Sequence, residues 1–407
     1  MNFQGFKPFA VVAAFAAFTL AACEDGGFSH RSLAPIPPET VALMEKVGTT
    51  KEAPMLIRAY KKEAELEIWK MRSDGRYVHL KTFPMCRWSG QLGPKTREGD
   101  RQVPEGFYSI TPAQMNPNSA YYLSFNVGYP NQLDRALGHS GGTIMVHGAC
   151  SSAGCFSMTD KQIAEIYAIA RSSFGGGQRA IQMQSYPFKM TAENLAKHRL
   201  DPNIGFWKNL KEGNDHFEVT KEEPQVAFCG RHYVFNATPA GHMDAASACP
   251  PLKHNPEIAA QVAEKAAKDD TKVAELAESG VKPVRVVYQD GGQNPAFASR
   301  VAEVSRPEAI APPVEIALEE KPARGAGKAA TQLAAKSPVV TVAAAKAAAE
   351  SREAEAPHPV AQAFAPDDRR EMQALASDDS PTSSIKKAAP RKPGAPDPAT
   401  KNKAAAH

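Results

Sequence analysis

The sequence predicts a mainly β domain with peripheral α-helices, followed by a long disordered tail. Two observations carry this. From Pro54 to about Asn236, short apolar runs rich in aromatic and β-branched residues alternate with turn signals. Beyond about Pro250 the chain turns to Ala, Pro, Lys, Glu, Ser and Asp with almost no aromatic residues. A segment with so little apolar surface cannot offset the entropy of ordering it.

The elements follow in chain order. Residues 55–60 and 65–71 read as paired strands joined by a short charged turn, and 77–82, 107–111 and 121–127 as further strands. Thr143-Ile144-Met145-Val146-His147 is an apolar run closing on a polar residue, which predicts a buried strand delivering His147 at its end. A helix starts near Thr159, because Thr159 and Gln162 have capping-box spacing and Ile163, Ile166, Tyr167 and Ala170 share one face. Gly175-Gly176-Gly177 ends it, strand-like alternation resumes over 180–185, and a short helix begins at Thr191. Within the expected tail, 255–279 has the composition of a transient or partner-stabilised helix.

The N-terminus carries Lys7 and then an uncharged stretch from Phe9 to Leu20, too short to span a bilayer comfortably but fitting the core of a signal peptide. It closes on Leu20-Ala21-Ala22-Cys23, which resembles a bacterial lipobox, with Cys23 as the lipidated residue. A plain signal peptide cut after Ala22 is the alternative. The expected layout is a signal peptide (1–22), a lipidated N-terminus and linker (23–50), a folded domain (51–237) and the low-complexity tail (238–407). The expected location is periplasmic, with a lipid anchor in the membrane. The outer membrane is favoured, because Glu24 stands where an Asp retains some lipoproteins at the inner one. The net charge of +4 is mild and gives no reason to expect a nucleic-acid partner.

Chemistry concentrates between His147 and Asp160. A thiol becomes a good nucleophile when it loses its proton, and a nearby imidazole can take it. His147 and Cys155 are joined by small residues that permit a tight loop. Gly154 allows a sharp turn beside the nucleophile, and the N–H groups around Gly154 and Cys155 are candidates to meet a developing oxyanion. Cys155 also precedes the Thr159 helix, whose N-terminal end favours an anion. The residues alone leave catalysis as one reading beside an ordinary Cys and His.

The segments His147-Gly148 and Ser152-Ala153-Gly154-Cys155 resemble the His-Gly pair and the Ser-x-Gly-Cys loop of the L,D-transpeptidase (YkuD-type) catalytic domain. Residues 81–86, Ser89-Gly90, Gly93-Pro94-Lys95, Gly99-Asp100, 104–108, Tyr186-Pro187-Phe188 and Met190-Thr191 are similar to its YafK-like branch. The resemblance covers roughly 56–235. It implies an L,D-transpeptidase-like β-sandwich or barrel, a thioester formed by Cys155 at the diaminopimelate of peptidoglycan stem peptides, and His147 as proton donor and acceptor. Neither cofactor nor metal is implied. The YafK-like branch implies hydrolysis of a bond between an outer-membrane protein and peptidoglycan. A true transpeptidase forming cross-links or attaching protein is the alternative, and a non-catalytic wall-binding lipoprotein is a third reading. Ala153 departs from the wider family, which mostly places a His there, and this leaves His147 as the base.

Lys95, Arg97 and Ser152 are candidate substrate-binding residues, with solvated loop charges and small loop-formers as the plain alternatives. His139 reads as a loop histidine and Asp160 as a first-turn acid. Cys86, Cys150, Cys229 and Cys249 can form disulfides in an oxidising compartment, in any of three pairings. An inhibitory Cys150–Cys155 bond is one further possibility.

Overall fold

A computed structural model describes residues 30–319. The expected signal peptide, Cys23 and the tail beyond residue 319 lie outside the described residues. The elements are α1 (Pro38–Lys46), β1 (Met55–Tyr60), β2 (Glu65–Met71), β3 (Tyr77–Pro84), β4 (Gly106–Ile110), β5 (Met115–Asn116), β6 (Ser124–Asn126), α2 (Gln132–Ala136), β7 (Met145–His147), β8 (Phe156–Ser157) and α3 (Asp160–Gly175). They continue as β9 (Ile181–Tyr186), α4 (Ala192–Lys197), α5 (Ile204–Thr220), β10 (Val226–Cys229), β11 (His232–Phe235), β12 (Ala237–Pro239), β13 (Leu252–His254), α6 (Pro256–Glu278), β14 (Val284–Val287) and β15 (Val314–Ala317). The described chain is thus mainly β with helices around it.

Two sheets organise the domain. The larger has the order β3-β2-β1-β9-β4, antiparallel except where β1 runs parallel to β9. Every residue of β1 is buried, whereas β2 alternates between buried and half-buried positions, as expected of a central strand beside a one-sided one. The smaller sheet has the order β5-β6-β7-β8. Helix α3 packs against β1 of the first sheet and β6 and β7 of the second, joining their cores. Its buried Ile163, Ile166, Tyr167 and Ala170 form the expected apolar face, and Thr159 closes the capping box with Gln162.

Three boundaries differ from expectation. Residues read as a linker fold onto the domain: in α1, Met44 is buried and the Thr40 hydroxyl donates to Glu165 of α3. The expected strand 121–127 shortens to β6 because Tyr122 adopts a left-handed φ of +71°. The expected disordered tail from residue 238 is corrected as far as 319. Helix α6 forms over Pro256–Glu278, with the Asn255 side chain capping its N-terminus, and packs on α4 and α5. None of its residues is buried; ion pairs Lys211–Asp269 at 2.7 Å and Lys265–Asp215 at 3.4 Å tie it to α5. Val273 of α6 also packs against the core, a single apolar contact within a charged helix.

The buried pair Lys61–Glu105, 2.9 Å apart, sits under the loop that joins β3 to β4. Lys61 also donates to the carbonyls of Gly93 and Val103, both at 3.0 Å, and Glu105 accepts from Gly93 N–H and Trp207 Nε1. The part of the loop between Gly93 and Val103 is therefore pinned from below at both of its ends.

Candidate active site

Strands β7 and β8 run parallel, with Val146 opposite Phe156 and His147 opposite Ser157. Continuing that register by one residue sets Met145 opposite Cys155, and the Met145 N–H donates to Cys155 Sγ at 3.4 Å. Because side chains alternate along a strand, positions 145 and 147 share a face, so Cys155 and His147 lie on one side of the sheet a diagonal step apart. Cys155 is half-buried and is the free thiol among the described cysteines. Cys86 is bonded to Cys150 and Cys229 to Cys249. The expected possibility of a Cys150–Cys155 bond is therefore corrected: Cys150 turns to the end of the β3 segment and leaves Cys155 reduced.

His147 is 3% exposed, and its Nδ1 lies 2.6 Å from the Gly148 carbonyl. The carbonyl can only accept, so Nδ1 carries the proton and Nε2 is left as the basic nitrogen. Burial lowers the imidazole pKa from its ordinary value, and the Gly148 contact opposes this in part. The Tyr121 ring covers the imidazole at 4.7 Å between centroids, with 49% of that tyrosine exposed. Burial raises the Cys155 thiol, while the Met145 N–H and the charge of Lys95 pull it back down. Burial thus favours the uncharged form of both groups.

The loop between the two strands is held at several points. Ala149 and Cys150 have φ of +63° and +43°, the left-handed region that L-residues rarely occupy. Asp160 accepts from the Ala149 N–H at 2.9 Å, so the first-turn acid of α3 is also a loop anchor. A side chain on Gly148 would meet that carboxylate at 2.5 Å, which explains the glycine beside the histidine. The Ser152 hydroxyl donates to the Cys155 carbonyl at 2.7 Å and accepts from Gly154 N–H at 3.3 Å. Gly154 N–H, expected to face an oxyanion, is instead turned back onto Ser152. Among the described residues the Cys155 N–H has no acceptor.

The remaining candidates separate. Ser152 is buried in the loop as a tether. Lys95 is also buried, and its ammonium is taken up by Asp100 and the Arg97 carbonyl, so it is not free to grip a substrate. Its charge nevertheless reaches Cys155. Arg97 is exposed at the loop tip. His139 lies 3.5 Å from Asp134, away from the pair in its contacts. Sequence reasoning missed Arg101, which donates to the Ser152 carbonyl at 3.0 Å, and Tyr121; nothing in their local pattern marks them. A large cleft of about 710 Å³ lined by Arg58, Trp69, Lys189, Glu218 and Lys265 includes neither Cys155 nor His147.

Comparison with known proteins fits this geometry. Residues 62–175 match the L,D-transpeptidase catalytic domain, YkuD. YafK of Escherichia coli K12, named as an L,D-transpeptidase, is 40% identical over 182 residues, which are 45% of this chain and 74% of that protein; YafK of E. coli O157:H7 gives the same values. Among solved structures, the helical cell shape determining protein Pgp2 from Campylobacter jejuni aligns at 16% identity and a TM-score of 0.27, covering 46% of this chain and 80% of that one. Bd1075 of Bdellovibrio bacteriovorus aligns at 13% and 0.26, covering 47% and 90%. On the sequence match to YafK, the chain belongs to the L,D-transpeptidase family of peptidoglycan acyltransferases.

Proposed function

We propose that the chain hydrolyses a protein–peptidoglycan linkage by cysteine acyl transfer, with Cys155 as nucleophile and His147 as its base. The observation that carries this is the parallel register of β7 and β8, which sets the one free described thiol and a buried imidazole with an unprotonated Nε2 on the same face. His147 Nε2 takes the thiol proton as Sγ attacks the carbonyl of diaminopimelate in a stem peptide. The Cys155 N–H, rather than that of Gly154, meets the oxyanion. The C–N bond then breaks, the leaving amine takes the proton from His147, and a thioester remains. Water attacks it with His147 again accepting a proton, and the sulfur leaves and is reprotonated. An amine in place of water would give cross-linking or attachment of protein; hydrolysis is the outcome that the resemblance to the YafK-like branch implies. Arg97, exposed at the loop tip, is the cation placed to meet a stem-peptide carboxylate.

The export reading belongs to the same proposal: lipidation at Cys23 would hold the domain in the periplasm against the wall. The test is mass spectrometry of peptidoglycan digested with protein lacking residues 1–23, beside Cys155→Ala. Sacculi carrying covalently attached outer-membrane protein should release it and keep tripeptide stems. New cross-links or exchanged terminal residues from free disaccharide-tetrapeptides would establish a transpeptidase instead. If folded protein with a reduced Cys155 gave no activity of either kind, the proposal would be defeated.

A further inference from the structure

The segment from Tyr288 to Arg306 lies beyond residues 62–175 that match the catalytic domain, yet it grips both walls of the site. Tyr288 and Gln91 exchange two hydrogen bonds, at 2.5 and 2.8 Å. Trp88 and Gly292 form a two-way backbone bridge at 2.9 and 3.1 Å. Gly291, with φ of +70°, passes so close that a Cβ there would fall 2.0 Å from the Trp88 carbonyl oxygen. Asp290 is buried and receives Arg87 at 3.1 Å and Arg101 and Arg306 at 2.8 Å each.

The far end of the segment reaches the nucleophile loop itself. The Ser305 N–H donates to the Cys150 carbonyl at 3.2 Å, and its hydroxyl accepts from the Ser152 N–H at 3.1 Å. Arg101 links the two contacts, since it holds Asp290 and donates to the Ser152 carbonyl. Ser152 in turn holds the carbonyl of Cys155. These bonds fall next to Ala149 and Cys150, whose left-handed backbones each cost on the order of 1 kcal/mol and need outside support to persist.

We infer that Ser305 and Asp290 are positioning residues for Cys155, acting through Ser152 to hold the loop that presents the thiol. The inference rests on the proposed catalysis by Cys155. Packing alone would also explain a covered loop, but a simple cover would protect the fold rather than act on the chemical step. The contacts run instead to the two backbone groups of Ser152 and to Cys150, which fix loop conformation without touching the space where substrate must lie.

The test compares the full chain with Ser305→Ala, Ser305→Thr and Asp290→Asn. It reads kcat and KM on protein-bearing sacculi, the melting temperature, and hydrogen exchange of the 148–157 region. Ser305→Ala should lower kcat about tenfold with KM within about twofold, since small misplacements of a nucleophile act on the chemical step. Exchange across 148–157 should quicken about tenfold while the melting temperature holds. Ser305→Thr, which keeps the hydroxyl, should restore kcat to within about twofold. Asp290→Asn should lower kcat in the same way. Unchanged kcat in Ser305→Ala, or a loss that follows melting temperature across all variants, overturns the positioning role. Cys155→Ala run alongside separates the two ideas. Retained turnover there defeats the catalytic reading, whereas an inactive Cys155→Ala beside a fully active Ser305→Ala defeats the strap alone.

Discussion

In the five-stranded sheet, β1, β2 and β3 run for six, seven and eight residues; in the four-stranded sheet, no strand is longer than three. The first sheet is held by long ladders and by core residues such as Met55, Ile57, Leu66 and Ile68, all fully buried. The second carries Cys155 and His147 but has few rungs. It is held by α3, the Cys86–Cys150 bond, Asp160 and the strap ending at Ser305. Regular pairing makes the scaffold, and long-range tethers make the site. A short sheet leaves backbone free for left-handed turns that a long ladder would forbid, and the tethers supply the rigidity that is lost.

That contrast can be broken at the site first. Cys155→Ala should reduce turnover by about 10³-fold or more, as expected when a nucleophile is removed. It should leave the thermal midpoint within about 2 °C, because a half-buried thiol is a small part of the core.

The two disulfides sharpen the comparison. Removing Cys86–Cys150 as a double Ser variant should cost ~4 kcal/mol in denaturant titrations, from the entropy of a loop closed at a sequence separation of 64, and should lower kcat as well. Removing Cys229–Cys249, with a separation of 20, should cost ~3 kcal/mol and leave kcat unaltered. Equal kcat losses in both would mean that the nucleophile loop does not depend on its own tether.

A pH series separates the regions again. His198 lies buried against Phe188 and Trp207, and burial, then the charges of Lys62 and Lys197, push it down to about 4. The unfolded chain binds this proton below about pH 6.5 and the folded chain only below about 4. Stability should therefore fall as pH drops through that window, by up to ~3 kcal/mol from this group. Chemical denaturation of His198→Phe beside the parent checks it, since the difference between them should vanish above pH 7.

For activity, the relevant imidazole is His147, which must be neutral to accept the thiol proton. Its pKa is lowered, so the acid limb of kcat/KM should lie below pH 6.5 and fall about tenfold per unit beneath that. A limb above pH 7 would assign the base to another group. The smallest effect belongs to the junction of the two regions. Thr159→Ala removes the cap of α3 and should cost about 1 kcal/mol, with kcat changed by less than about twofold.

The scaffold was largely legible because its information is local. The alternation in Glu65–Met71 and the capping box at Thr159 each specify an element within a few residues. The Cys155 and His147 positions stood out through their motif and its small-residue loop. What stayed hidden depends on contacts distant in sequence. Arg101 and Asp290 are 189 residues apart, and Ser152 and Ser305 are 153 apart. Helix α5 was missed for a different reason. Gly205 and Gly213 lower its helix propensity, yet a Cβ on Gly213 would strike the Phe107 and Phe235 rings at about 2.4 and 2.5 Å. The residue that spoils the helical pattern is the one that lets the helix approach its neighbours. The tail was misread up to 319 because only scattered apolar residues, Val284, Val286 and Tyr288 among them, reach the core, while α6 is tied to α5 by ion pairs.

The Lys61–Glu105 pair beneath the β3–β4 loop constrains how the site wall can change over generations. Both side chains are fully enclosed; burial lowers the Lys61 pKa, and the Glu105 carboxylate opposes that. Replacing either residue strands the other as a lone buried charge, a penalty of about 3–5 kcal/mol that a marginally stable domain barely survives. Replacing both with apolar residues would remove the charges but orphan the Gly93 and Val103 carbonyls, the Gly93 N–H and the Trp207 Nε1–H. The two positions therefore resist exchange both singly and as a pair. Drift in the loop above them can alter its exposed tip, including Arg97, while Gly93 and Val103 stay where this pair holds them.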